Sequence, residues 1–216
     1  MTLAPKPGVL DIAPYVGGRS AAPGAARVFK LSSNESPFGP SPKAVAAFRA
    51  AQEKIGVYAD ESAGSLRRAL AEFYAIEPER VVCGNGSNEL LALIANCYLR
   101  PNDEALMSAH GFMLYKIAAH ANSAVPVEVP EPQRKMDVDA VLARVSERTR
   151  IVFVSNPNNP TGSYLTIAEL RRLHAGLPAS VLLIVDSAYA EYVRKSDYDA
   201  GIELARANGN VVMTRT

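Results

Sequence analysis

From residue 81 onward, short apolar runs alternate with amphipathic stretches, and this alternation is what most narrows the fold. The runs are residues 81–83, 105–107, 125–129, 151–154, 181–185 and 211–213, and they read as strands. A strand that is apolar on both sides must be covered on both sides. That is the condition of a parallel sheet between two helical layers. Residues 88–99, 113–121, 138–145, 167–174 and 202–207 place apolar side chains at helical spacing between the strands. No repeat of fixed period occurs. The pattern predicts an α/β fold, a three-layer sandwich around a mostly parallel sheet.

The chain before the alternation is different. Residues 1–32 carry Pro14, Gly17, Gly18, Pro23 and Gly24 with little periodicity, and read as an irregular arm. Residues 33–42 are turn-rich. Ser41 and Pro42 then offer an N-cap and a first helical residue, and a second helix is expected over residues 65–75. The organisation predicted is an arm of residues 1–32, part of a small domain, attached to a large domain of residues 33–216.

Composition removes several function classes. With 23 basic and 22 acidic residues the formal charge is +1, so no strong field favours nucleic acid or an anionic membrane. The longest apolar run is too short to span a bilayer, and residues 1–10 lack a signal-peptide core. Cys83 and Cys97, the only cysteines, lie in apolar surroundings and read as reduced core residues of a cytoplasmic protein. His110, His120 and His174 have no partners at metal spacing, so no metal site is predicted.

Ligands of open α/β sheets bind outside the carboxyl ends of the strands. Polar or aromatic residues follow the apolar runs there. Gly84-Asn85-Gly86-Ser87-Asn88 joins a strand to a helix, where free N–H groups and the helix dipole favour a phosphate. A tight turn capped by Ser87 would look the same. His110-Gly111-Phe112 could offer an aromatic face to a planar ring, although most aromatics at such a place are simply core. Ser155-Asn156-Pro157-Asn158-Asn159-Pro160-Thr161-Gly162 holds two asparagines in a rigid turn. Either they present amides to a ligand or they bond only their own backbone. Asp186 ends the most apolar run, and a carboxylate there needs a cation or hydrogen-bond donors. A metal-bound aspartate of a nucleotide hydrolase would look similar, but no G-x-x-x-x-G-K-[ST] phosphate loop occurs. A protonated heterocyclic nitrogen is the other partner, and Tyr189 could project a hydroxyl into the same place.

These motifs together resemble the aminotransferases of fold type I that use pyridoxal 5′-phosphate (PLP), and most of all the histidinol-phosphate aminotransferases. The likeness is carried in order by Ile12-Ala13-Pro14-Tyr15-Val16-Gly17-Gly18, by Leu31-Ser32-Ser33-Asn34-Glu35-Ser36-Pro37, by Tyr58-Ala59-Asp60, and by the segments quoted above. Asp186-Ser187-Ala188-Tyr189 closes the series, with Ser187 where a glutamate is common. The resemblance implies that Ser87, Asn88 and Thr216 cradle the coenzyme phosphate, and that Tyr58 reaches the phosphate of a partner's site in a homodimer. It implies that Phe112 stacks on the ring and that Asn159 and Tyr189 bond its 3′-oxygen. Asp186 pairs with the ring nitrogen, and Tyr15 and Asn34 shape the substrate pocket. Asp186 and Tyr189 are thus the catalytic candidates. The substrates implied are an amino donor, glutamate, and a keto-acid or phosphorylated ketone, here imidazole-acetol phosphate of histidine biosynthesis. Alternatives are an aromatic amino acid aminotransferase, an amino-acid phosphate decarboxylase of the same fold, or a non-catalytic PLP- or partner-binding remnant.

In that family a lysine follows a strand like residues 211–213 within a few positions and holds the coenzyme. None of Lys6, Lys30, Lys43, Lys54, Lys116, Lys135 and Lys195 stands there. The expectation is therefore a large domain incomplete at its C-terminus that does not turn over alone. The family's sheet also implies a further strand between residues 81–83 and 211–213.

Overall fold

The computed structural model describes residues 4–13, 23–24, 26–30 and 33–216. Tyr15 lies outside the described residues. By its contacts the chain divides into two compact units, residues 13–64 and a larger unit of residues 1–12 with 65–216.

The larger unit is built on five parallel strands, β1 (Glu104–Ser108), β2 (Val125–Val129), β3 (Thr149–Ser155), β4 (Leu182–Asp186) and β5 (Val211–Thr214). Their order across the sheet is β2-β1-β3-β4-β5. Helices follow the expected segments closely: α2 (Gly64–Tyr74), α3 (Gly86–Tyr98), α4 (Leu114–Ala121), α5 (Val138–Arg144), α6 (Ile167–Gly176) and α7 (Ile202–Ala207). Successive strand residues point to opposite faces. Leu106, Val152, Val154, Leu183, Val185 and Val211 accordingly pack with α5, α6 and α7. Ala105, Met107, Ile151, Phe153, Leu182 and Ile184 pack with α3 and α4 on the other side. Burying each Val, Leu or Ile is worth roughly 1.5–3 kcal/mol, so the two faces supply most of the driving force. Pro126, which cannot donate to a ladder, sits in the edge strand β2.

Local signals set the ends. Thr166 and Glu169 close a reciprocal capping box at the start of α6. Asp137 caps α5 through the N–H groups of Asp139 and Ala140. Gly201 takes a left-handed φ of 92° before α7, and a Cβ there would lie 3.0 Å from Val185.

Three expectations are corrected. Residues 81–83 run extended but pair with no strand among the described residues, and Val82 is exposed. A β-strand is a paired state, and no described strand runs beside these residues. Cys97 is exposed rather than a core residue. The buried residues of α3 are Ser87, Leu91 and Ala95, and Cys97 stands two positions from Ala95 on the opposite face. Asp186 is the last residue of β4 rather than the first beyond it.

In the unit of residues 13–64, α1 (Pro42–Ala51) begins with Pro42 after Ser41, but the Ser41 side chain makes no capping bond. The Asp60 carboxylate instead organises its own turn, accepting from the N–H groups of Ser62 at 3.0 Å and Gly64 at 2.8 Å. Asn34 and Tyr58 belong to this unit. No helix among the described residues is long and apolar enough to cross a membrane.

Candidate active site

The strand ends of the larger unit converge on Asp186. Its side chain is buried. Oδ2 accepts the Tyr115 hydroxyl at 2.8 Å, and Oδ1 accepts the Thr214 hydroxyl at 3.1 Å. Burial pushes the Asp186 carboxyl above its ordinary value, opposed by the bonds from Tyr115, Thr214 and the Ala188 N–H and by the charge of Arg215. Its hydrogen-bond donors are neutral, so the carboxylate carries its charge into the interior without a bonded cation. A carboxylate accepts up to about four hydrogen bonds, which leaves acceptor capacity for a ligand N–H.

Tyr115 and Thr214 lie in strand-end segments of the sequence, which alone gives neither a role. Tyr115 is fully buried, stacked on Phe153 at 4.6 Å with rings 7° from parallel. Burial, then the nearby Asp186 charge, raises its phenol well above the ordinary value, so it stays a donor. A buried tyrosine needs a partner for its hydroxyl, which is the signal that could have found it. Thr214 is opposite Asp186 in the β4–β5 register, and only that pairing reveals it.

Phe112 meets Tyr115 edge to face at 5.8 Å. It therefore stands one ring away from the Asp186 carboxylate. The β3–β4 register sets Ser155 beside Asp186 and so brings the Asn-Pro turn to the same end. The asparagines of that turn divide their work. Asn156 is fully buried and exchanges two bonds with the Leu165 backbone, at 3.2 and 2.8 Å. Its carbonyl accepts the Tyr198 hydroxyl at 2.7 Å, and burial pushes that phenol to about 12. Asn158 donates to Thr161 Oγ1 at 2.8 Å and to the His110 carbonyl at 3.1 Å. Among the described residues Asn159 makes only a backbone bond, its N–H to Ser155 Oγ at 3.2 Å. Its half-buried side-chain amide has no hydrogen bond to the described residues and is available to a ligand. Tyr189 follows β4, its ring centred 6.4 Å from that of Tyr192.

The α3 N-terminus forms a second part of the site. The helix begins at Gly86, whose φ is 75°, after Asn85. Asn85 makes no side-chain cap, so Ser87 lies inside the first turn and is not the cap. The Glu89 carboxylate accepts the Asn85 N–H at 2.6 Å, while the N–H groups of Ser87 and Asn88 lack helical acceptors. A Cβ on Gly86 would lie 3.2 Å from Thr216 Oγ1. The glycine thus lets the Thr216 hydroxyl close over the start of the helix, beside the buried Ser87. Two hydroxyls and a helix N-terminus make a donor set for an anion. The structure therefore brings Ser87, Phe112, Asn159, Asp186, Tyr189 and Thr216 to one end of the sheet, and Asn88 with them. No group of three His, Cys, Asp or Glu side chains suited to a metal ion occurs among the described residues.

The family model for aminotransferase class I and II matches residues 26–216. The chain belongs to that family. It is 57% identical over 212 residues to histidinol-phosphate aminotransferase of Rhodospirillum centenum, covering 98% of this chain and 59% of that protein. It is 51% identical over 213 residues to histidinol-phosphate aminotransferase of Rhodopseudomonas palustris, covering 98% and 58%. The chain thus spans under two thirds of the length of these relatives. Histidinol-phosphate aminotransferase from Sinorhizobium meliloti, solved in complex with pyridoxal-5′-phosphate, superimposes with a TM-score of 0.81 at 29% identity, over 85% of this chain and 50% of that one. The three-layer α/β architecture read from the sequence is the fold type I architecture of these aminotransferases.

Proposed function

We propose that the protein carrying this chain is a PLP-dependent histidinol-phosphate aminotransferase, moving an amino group between glutamate and imidazole-acetol phosphate in histidine biosynthesis. The observation that supports it best is Asp186, a buried carboxylate bonded only by neutral donors, one ring away from an aromatic face and at the same sheet end as an anion cradle. The donor set fits PLP. An anion held at Asp186 matches a protonated ring nitrogen, Phe112 matches the ring face, and the α3 N-terminus matches the phosphate.

Bound PLP would supply an electron-withdrawing ring that spreads the charge left when a substrate carbon loses its proton. This chain's residues would bind, orient and tune it. Asp186 keeps a proton on the ring nitrogen, because an adjacent anion raises the pKa of a cationic acid by about 1–3 units. Asn159 and Tyr189 donate to the 3′-oxygen, and Phe112 covers one ring face. Ser87, Asn88 and Thr216 hold the phosphate, joined by the partner subunit's Tyr58 in a homodimer. Tyr15 and Asn34 shape the substrate pocket. In this reading residues 33–216 are the coenzyme-binding domain, residues 1–32 belong to a smaller one, and the protein is cytoplasmic. The substrates are an amino donor and a phosphorylated ketone.

The test is a substrate panel on the purified holoenzyme with glutamate as donor. We expect imidazole-acetol phosphate to be aminated with the highest kcat/KM. A preference for aromatic keto-acids, or release of carbon dioxide from an amino-acid phosphate, would overturn the substrate assignment. A protein that retains no PLP would overturn the coenzyme.

A further inference from the structure

A side chain that the proposed reaction does not use ties three strand ends together. Glu131 stands two residues beyond β2, with its side chain 1% exposed. Its Oε1 accepts two bonds from one residue, the His110 N–H at 3.0 Å and the His110 ring Nδ1 at 2.9 Å. With Glu131 ionised, Nδ1 carries the proton, since a carboxylate only accepts. The other oxygen, Oε2, is buried without a partner among the described residues. The His110 carbonyl in turn accepts Asn158 Nδ2 at 3.1 Å. Glu131, His110 and Asn158 therefore form a chain across the ends of β2, β1 and β3.

Both ends of that chain adjoin ring-facing residues. Phe112 is two residues from His110, and Asn159 is next to Asn158. A buried carboxylate with one oxygen unsatisfied is an expensive way to fill space. What it gains is position. Charge-assisted bonds to both the backbone and the ring of His110 fix that residue at two points.

We propose that Glu131 is a positioning residue for the coenzyme site, acting through His110 on the Phe112 loop and on the Asn159 turn. The inference rests on the roles given to Phe112 and Asn159 above. A ligand site is held to sub-ångström tolerance only by such supporting contacts.

The experiment compares PLP dissociation constant, absorbance of the bound coenzyme and melting temperature in the holoenzyme. The variants are Glu131→Ala, Glu131→Gln, His110→Ala, Phe112→Leu and Asn159→Ala. Loss of a charged hydrogen bond predicts about a tenfold higher dissociation constant for Glu131→Ala, with a shifted absorbance band. Glu131→Gln, which keeps an Oε1 acceptor, should restore affinity to within about threefold of the parent. If Glu131→Ala does not fold, His110→Ala is read in its place against the same outcomes. A lower melting temperature with unchanged affinity and spectrum, while Phe112→Leu and Asn159→Ala weaken binding, would leave Glu131 a structural tie and overturn the proposal. If those two direct variants also bind PLP normally, the site reading fails and the proposal falls with it.

Discussion

Two buried carboxylates at opposite ends of the sheet, Glu104 and Asp186, are treated in opposite ways. At the amino end, Glu104 opens β1. Ser146 donates to its Oε2 at 2.6 Å, and Arg148 Nε donates to Oε1 at 2.9 Å. The Ser146 bond, with Arg148, holds the carboxyl below its ordinary value despite burial. At the carboxyl end, Asp186 has hydroxyl donors and a raised pKa, because burial outweighs its neutral bonds. Glu104 is matched by a bonded cation of its own chain and is finished as a structural tie. Asp186 is not, and a cationic group from outside would complete it. In the proposed reading, a buried carboxylate without a bonded cation marks the functional end of this sheet.

The largest expected contrast is in rate. Asp186→Asn should lower kcat of the holoenzyme by at least ~100-fold, since groups facing charge developed in a reaction are worth a few kcal/mol. Coenzyme retention should suffer less, because the phosphate contacts remain. Glu104→Gln should change kcat by less than about twofold, as it lies at the opposite sheet end. Near-normal turnover in Asp186→Asn would erase the distinction.

Stability should show the reverse. Glu104→Ala leaves Ser146 and Arg148 without their acceptor, and we expect a loss of about 1–3 kcal/mol in urea melts at neutral pH. Acid sharpens the contrast. The depressed pKa of Glu104 means that its contribution is complete above the ordinary carboxylate value, near 4, and is lost as pH falls through its lower folded value. The raised pKa of Asp186 has the opposite sign. The folded state keeps that proton to higher pH than the unfolded state, so the apo-protein gains stability from this group as pH falls through the folded value. Melts of apo-protein over pH 3 to 7, within the range where carboxylates titrate, should show the acid loss shrink in Glu104→Gln. In Asp186→Asn the opposing gain should vanish. Parallel pH curves for the two variants would contradict the assignment.

The smallest effect concerns Tyr115. Tyr115→Phe removes one donor from Asp186 and should cost about 1 kcal/mol of stability. It should lower kcat by less than about tenfold, because the carboxylate itself remains. A loss as large as that of Asp186→Asn would make the phenol, not the carboxylate, the acting group.

The sequence made the layers legible because strand alternation and helical spacing are local signals. Val152 and Phe153 face opposite cores, as a two-residue period requires. It also exposed Asp186, since a carboxylate closing a run of five apolar residues stands out in one dimension. What stayed hidden depends on pairing. Residues 81–83 look like a strand until a neighbour is sought. Asn158 and Asn159 are adjacent and chemically identical, yet only the fold decides that one binds His110 and Thr161 while the other keeps its amide available. Tyr115 and Thr214 reach Asp186 from 71 and 28 residues away, and Glu131 reaches His110 across 21. No periodicity encodes such contacts.

The measurement that bears most directly on the contrast between the two sheet ends is the ¹⁵N chemical shift of ring-labelled PLP bound to the holoenzyme, in the parent and in Asp186→Asn. Asp186 as the partner of a cationic ring predicts a protonated nitrogen at neutral pH in the parent and an unprotonated one in the variant. The same protonated signal in both proteins would contradict it and would place Asp186, like Glu104, among the structural carboxylates.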